Sequence, residues 1–312
     1  MIARTAPLVI AHRGYSVGAP ENTLAAFEAA LRVGADLLEL DIAMDAEGVP
    51  VVIHDDTLER TSDALGNVAD LTAAQLRSID AGSWFSPAYV GQRIPTLADV
   101  VALVARHPGA GLLVEFKGSW SPAEVHVAAA VVRAGGIAER SILQSFDRGT
   151  VAALRDVAPD VRRALLVIRA GEEVHLTDVI MDPFTALASS REEARVQATE
   201  ARTGLGVMAC NPYVGCVAAG PEVVAGYHDA GVQSFPWTVD DPGLWQELLR
   251  AGVDGIITND PGRLRGFLDA RELQFAQDLP SWDREQLTRS ALRQGRMPVR
   301  APGLTLGLKP AT

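Results

Sequence analysis

Two acids, Glu39 and Asp41, stand two residues apart inside the apolar run LLELDIAM. On a strand, residues i and i+2 share a face, so both carboxylates project from one side. The connection AEGVP leads into a second apolar run, VVIHDD. That connection is far too short for a crossover helix, so the second run returns antiparallel as a hairpin. A turn centred on Glu47 and Gly48, with Gly48 at the positive-φ position, pairs Met44 with Val51 and Ile42 with Ile53. The same register sets Asp41 opposite His54 on one face. Two carboxylates beside an imidazole on one surface make a site, not a packing pattern.

Other apolar runs end in residues of the same kind: His12-Arg13, Glu115-x-Lys117, Phe146-Asp147, Asn211, Trp237-Thr238 and Asn259-Asp260. Glu39, Asp41 and Glu115 occupy strand interiors, where unpaired carboxylates are costly, so they call for a cation. Oxygen-only ligation suits one hard divalent ion, Mg²⁺ or Ca²⁺. The competing reading is that Arg13 and Lys117 pair with these acids and no metal binds. Lys117 stands out because the chain has 28 Lys+Arg and only Lys117 and Lys309 are lysine. A compact point charge is therefore wanted beside Glu115, while Arg13 offers a fork that matches phosphate oxygens.

His12 and His54 end apolar strands near the acids, and two imidazoles flanking a metal-held group can serve as base and acid. The other four, His107, His126, His175 and His228, read as structural or solvated. Trp237 either lines a substrate pocket or plugs the barrel top, and Glu21-Asn22-Thr23 either touches the site or caps a helix. Three carboxylates, a divalent ion, Arg13 and Lys117 sum to about +1, which suits a monoanionic phosphate diester.

These residues need a scaffold that gathers strand ends. Apolar strands are expected at 8–11, 36–44, 111–118, 141–146, 161–168, 207–211, 232–239 and 253–258. Helical periods separate them, and the last covers 262–271. Alternation repeated about eight times predicts a parallel α/β sheet closed as a (β/α)₈ TIM barrel, with its site at the C-terminal strand ends. HRGYSVGAP has the wrong glycine spacing for a dinucleotide fold. A small insertion at about 57–94, with a helical patch at 72–79, follows the second strand's hairpin. The barrel is expected over 1–271. A C-terminal extension, 272–312, is expected to be helical at 283–294 and then a loose tail.

Composition narrows the partners. With 312 residues, 48% of them hydrophobic, the chain can bury one large core. A net charge of -11 argues against general affinity for nucleic acid or anionic membrane, leaving a small-molecule substrate. Cys210 and Cys216 fit neither a disulfide framework nor a zinc spacing, and read as buried thiols in a reducing compartment. No targeting segment or run of ~18 apolar residues is visible, so a cytoplasmic enzyme is the expectation. The oligomeric state is not legible.

The motifs HRG, PENT, ELDIAMD, VVIHDDTLERTSD, IPTLADV, VEFKG, QSFD, PWTVDD and GVDGIITNDP follow one another from about residue 10 to 261. Together they resemble the glycerophosphodiester phosphodiesterase family. The resemblance implies a TIM barrel in which His12 and His54 are general acid and base. It implies that Glu39, Asp41 and Glu115 hold one divalent metal, that Arg13 and Lys117 grip the phosphate, and that Trp237 meets the glycerol or head-group end. The implied reaction is hydrolysis of a glycerophosphodiester to an alcohol and sn-glycerol 3-phosphate. The alternatives are a lysophospholipase D or sphingomyelinase D-like phosphodiesterase of the same fold, and a silent anion-binding barrel. The least family-like stretches are 169–203 and the residues after 271.

The segment 297–312, MPVRAPGLTLGLKPAT, has no apolar period to bury. Its deletion should leave melting temperature and turnover nearly unchanged; a large fall in either would show that this segment packs.

Overall fold

A computed structural model describes residues 6–168 and 188–278. His175, the expected helix at 283–294 and the tail beyond it lie outside the described residues. The chain divides into two compact units, 1–266 and 267–312.

The first unit carries a nearly closed barrel of eight parallel strands. In chain order the described elements are β1 (Leu8–Ala11), α1 (Leu24–Arg32), β2 (Leu37–Met44), β3 (Pro50–Val52), α2 (Ala73–Leu76) and α3 (Leu97–Ala105). There follow β4 (Gly111–Phe116), α4 (Pro122–Ala134), β5 (Ser141–Ser145), α5 (Arg148–Val157) and β6 (Arg162–Val167). The set ends with α6 (Arg191–Leu205), β7 (Ala209–Pro212), α7 (Val214–Ala219), α8 (Glu222–Asp229), β8 (Gln233–Ser234), α9 (Pro242–Ala251), β9 (Gly255–Thr258) and α10 (Pro261–Asp278). Neighbouring strands run in the order β8-β7-β6-β5-β4-β2-β1-β9, with β3 paired to β2 off this path.

Local chemistry starts and stops the helices. Thr96 and Asp99 form a reciprocal cap on α3, and Ser121 and Glu124 do the same on α4. Asp241 caps α9, which ends on Gly252 at φ +81°.

β8 is shorter than the expected strand 232–239. Pro236 has no amide hydrogen to donate to a ladder. The barrel still closes there: Asp254 N donates to Ser234 O at 3.1 Å, Ile257 N to Pro236 O at 3.0 Å, and Val239 N to Ile257 O at 2.9 Å. The last helix also runs on to Asp278, past residue 271 where the periodicity placed its end.

Strand alternation sorts the side chains. Ile10, Leu37, Leu113, Ile142, Ala164, Ala209, Phe235 and Ile257 form one buried cluster, an inward residue from each wall of the barrel. Their outward neighbours, among them Leu38, Leu40, Val114 and Leu143, pack on helical residues such as Phe27, Val100 and Val125. Two residues beyond the inward layer, six of these eight faces turn polar, at His12, Glu39, Glu115, Gln144, Asn211 and Asn259, while Leu166 and Trp237 occupy the other two.

The hairpin register differs from the expected one by a residue. Ile42 pairs with Val52, Ala43 with Val51 and Met44 with Pro50. Asp45 causes the offset, because its carboxylate accepts from Glu47 N at 2.8 Å and Val49 N at 2.7 Å. This closes a three-residue loop, 46–48, in which Gly48 takes φ +77°. Asp41 therefore lies beside Ile53, whose amide donates to its carbonyl at 3.1 Å, and not opposite His54.

The insertion forms a small core in which Leu58, Val68, Leu76, Ala81 and Ile94 pack with Val51 and Ile53 of the hairpin. The expected helical patch is a single capped turn, α2, with Thr72 and Gln75 bonded reciprocally. Leu58 is fully buried in this cluster. Leu58→Ala should cost about 2–5 kcal/mol in a denaturant titration; a loss below ~1 kcal/mol would mean the insertion collapses around the gap.

Candidate functional site

The polar layer begins where the apolar one stops. On β2, Leu37 belongs to the inward cluster and Glu39 and Asp41 follow it on the same face. On β4, Leu113 is followed by Glu115, which pairs in register with Asp41. Each of the three acids offers an oxygen within 4.8 Å of the others. They are almost wholly enclosed, with exposures of 2% for Glu39, 1% for Asp41 and 7% for Glu115.

Protein cations answer two of the three. Arg13 Nε lies 3.3 Å from Asp41 Oδ2, and Lys117 Nζ lies 3.0 Å from Glu115 Oε1. Asn22 Nδ2 also donates to Asp41 Oδ2 at 2.9 Å. Burial alone would raise the Asp41 carboxyl; Arg13, His54, Lys117 and the Asn22 amide together hold it below the usual range. Among the described residues, Glu39 accepts a hydrogen bond from the Arg13 amide alone, at Oε2 and 3.1 Å. Burial and the charges of Asp41 and Glu115 push Glu39 well above the usual carboxylate range. A proton or a metal must satisfy it. Three clustered carboxylate oxygens fit a hard divalent cation, so the donor set agrees with the expected one.

The β1–α1 turn aims Arg13 twice, amide at Glu39 and guanidinium at Asp41. It does so by holding Arg13 at φ +56° and Gly14 at φ +84°. A Cβ on Gly14 would come within 2.7 Å of Ala26, so this turn admits only glycine there. Arg13 Nη1 donates to Glu21 Oε1 at 2.8 Å, while its buried Nε has no hydrogen-bond acceptor among the described residues. Both readings of Glu21-Asn22-Thr23 hold: Glu21 and Asn22 meet the site, and Thr23 caps α1.

The two imidazoles are held differently. His12 Nδ1 lies 2.7 Å from Asn259 Oδ1. Asn259 Nδ2 donates to Asp240 Oδ2 at 2.7 Å and Ser16 Oγ donates to Asn259 Oδ1 at 2.9 Å. The amide thus presents its oxygen, and the network assigns the His12 proton to Nδ1. Burial, then Arg13, lowers the His12 pKa to about 4, so the ring is neutral at pH 7. His54 Nδ1 lies 2.5 Å from Asp55 Oδ1, and Lys117 Nζ lies 3.2 Å from His54 Nε2. Lys117 therefore touches both an acid and an imidazole. Burial opposes its charge, but Glu115 and Asp41 outweigh that and raise its pKa.

His12, Arg13, Glu39, His54, Glu115, Lys117 and Trp237 line one cavity of about 310 Å³. Asp41 sits behind its wall. Trp237 meets both readings, since it lines the cavity and packs against the inward cluster; its Nε1 donates to Asn211 O at 2.8 Å. Its ring meets Phe146 and Tyr213 edge-on, both at 5.5 Å. Sequence reasoning left Asp55, Arg60 and Asp240 out, and gave Asn259 no task. The signal for Asn259 was its place two residues past the inward Ile257. Of the other histidines, His107 bonds Leu103 O and His228 bonds Asp254, both away from the cavity.

A pocket that pairs carboxylates with two imidazoles and two fixed cations suits acid–base cleavage of an anionic ester. Comparison with known proteins points the same way. A solved glycerophosphodiester phosphodiesterase from Agrobacterium tumefaciens superposes with a TM-score of 0.65 at 26% identity, covering 84% of this chain and 100% of that one. The same fold recurs in an Oleispira antarctica phosphodiesterase solved with the product sn-glycerol-3-phosphate, at a TM-score of 0.68, 24% identity and 84% and 97% coverage. A glycerophosphodiester phosphodiesterase of Caldanaerobacter subterraneus subsp. tengcongensis is 34% identical over 259 residues, covering 82% of this chain and 96% of the relative. The model of the glycerophosphoryl diester phosphodiesterase family matches residues 12–263, from the first histidine of the site to the start of α10. The chain belongs to that family and is a phosphoric diester hydrolase.

Proposed function

We propose that this hydrolase cleaves glycerophosphodiesters, with a divalent cation held by Glu39, Asp41 and Glu115, into an alcohol and sn-glycerol 3-phosphate. The carrying observation is Glu39, a carboxylate beside two others that forms no side-chain ion pair among the described residues. A bound Mg²⁺ or Ca²⁺ would supply charge neutralisation and polarise a phosphoryl oxygen. Arg13 and Lys117, which both line the cavity, would take the non-bridging oxygens. His12, neutral and presenting Nε2, would accept a proton from the attacking hydroxyl. His54 would give one to the departing alkoxide as the phosphorus–oxygen bond breaks. Facing the Lys117 ammonium, His54 Nε2 holds no proton; a phosphate that draws Lys117 forward would let Nε2 take from solvent the proton it then gives to the alkoxide. Trp237, beside Phe146 and Tyr213, would meet the glycerol or head-group end.

Support for the substrate class comes from the 34% identical relative, which is named for it, and from the product in the Oleispira protein. No observation favours the lysophospholipase D or sphingomyelinase D-like reading. Among the described residues no helix is long and apolar enough to cross a membrane. The buried free thiol of Cys210 supports a reducing compartment such as the cytoplasm.

Chelation should abolish glycerol 3-phosphate release, and Mg²⁺ or Ca²⁺ should restore it. The same ion should raise the melting temperature of the stripped protein, because it binds the folded site. Full activity in protein shown metal-free by elemental analysis would remove the cation from the mechanism.

The histidines separate by leaving group. On a natural diester, His12→Ala and His54→Ala should each lower kcat by ~10²–10⁴-fold. Lys117→Ala and Arg13→Ala should raise KM as well. A nitrophenyl-type diester needs no proton on its leaving oxygen, so His54→Ala should approach wild-type rates on it while His12→Ala stays slow. The opposite pattern would exchange the two roles, and wild-type rates for both variants on the natural diester would end the two-histidine mechanism.

A further inference from the structure

The insertion brings one more charged group to the site, and the chemistry above does not use it. Arg60 follows Leu58, whose side chain is buried in the insertion core. Leu58 N donates to Gly66 O at 3.0 Å and Ser62 Oγ donates to Leu58 O at 2.7 Å, so the backbone is tied on both sides of Arg60. From there the guanidinium forms two forks. Nε and Nη2 donate to Asp55 Oδ2 and Oδ1 at 2.5 and 3.1 Å. Nη1 and Nη2 donate to Glu21 Oε2 and Oε1 at 2.9 and 2.8 Å.

Each bridged acid also holds an active group. Glu21 Oε1 accepts from Arg13 Nη1, and Asp55 Oδ1 meets His54 Nδ1. The result is one row: Arg13, Glu21, Arg60, Asp55, His54. Burial works against the Glu21 charge, and Arg60 and Arg13 together still hold its pKa below the usual range. Exposed ion pairs taken singly contribute little. A planar cation that satisfies two carboxylates at once is a different case, since lysine cannot reproduce either fork.

We propose that Arg60 is a positioning residue that keeps Arg13 and His54 in mutual register, so that the insertion acts on phosphate binding and proton transfer together. This rests on the roles given to Arg13 and His54 above. The bland alternative is an ion pair that only fastens the insertion to the barrel.

The test is Arg60→Met in the full chain with its divalent cation, assayed on glycerophosphocholine. kcat should fall ~10-fold and KM rise ~3-fold. In a His54→Ala background the kcat effect should vanish and the KM effect remain; in an Arg13→Ala background the reverse should hold. Arg60→Lys should recover less than half of the loss. A role confined to fastening would instead lower the melting temperature and multiply through both backgrounds, which overturns the proposal, as would wild-type kinetics in Arg60→Met. Calorimetry with inorganic phosphate supplies a second readout: Arg60→Met should bind it ~3-fold more weakly, acting through Arg13. Unchanged phosphate affinity overturns the proposal even if the wild-type chain hydrolyses no glycerophosphodiester, whereas absent turnover with weakened phosphate binding overturns only the substrate assignment. Should Arg60→Met not fold, Arg60→Gln and Arg60→Lys carry the same measurements.

Discussion

Three carboxylates stand on an apolar floor, and much of the site is arranged around the cost of that placement. The inward cluster of Leu37, Leu113 and their neighbours denies water to Glu39, Asp41 and Glu115 from below. Like charges within 4.8 Å repel strongly in such surroundings. Arg13, Lys117 and the Asn22 amide each answer part of that repulsion, and Glu39 is left for a ligand. The left-handed turn at Arg13 and Gly14 follows from the same need. In that conformation one residue gives its amide to Glu39 and its guanidinium to Asp41. Strain of this kind persists where surrounding contacts fix it, here the close approach of Gly14 to Ala26.

The barrel and its reactive layer were legible because a strand's period of two is rigid. Once Leu37 is inward, Glu39 and Asp41 are inward too, and the same count carries Leu113 to Glu115 and Lys117. The rarity of lysine drew attention to Lys117, and the structure places its ammonium between Glu115 and His54. The hairpin register was not legible, because one side chain decided it: Asp45 closes a three-residue loop where Glu47 and Gly48 alone pointed to two. That slip displaced Asp41 from His54 without removing His54 from the site. Its place is set by Asp55 and Lys117, not by cross-strand pairing with Asp41.

The supporting partners were harder to see, for a geometric reason. Asn259 lies 247 residues from His12, and Arg60 lies 39 residues from Glu21. No local spacing links such pairs; they meet only because the barrel closes and the insertion folds back. Asp240 and Arg60 also sit among ordinary turn and loop residues, where polar side chains are expected anyway.

The contrast between the imidazoles ties these layers together. His12 leans on a neutral amide, which fixes its tautomer without inviting a second proton, and Arg13 beside it discourages one. His54 leans on a carboxylate and faces an ammonium, so opposing fields act on the same ring. An anionic ester held between Arg13 and Lys117 would act on both balances, offsetting the guanidinium beside His12 and the ammonium beside His54. One imidazole is thus set by the barrel wall and the other by the hairpin and insertion. The insertion reaches the second through Arg60, which bonds Asp55, the carboxylate on which His54 leans.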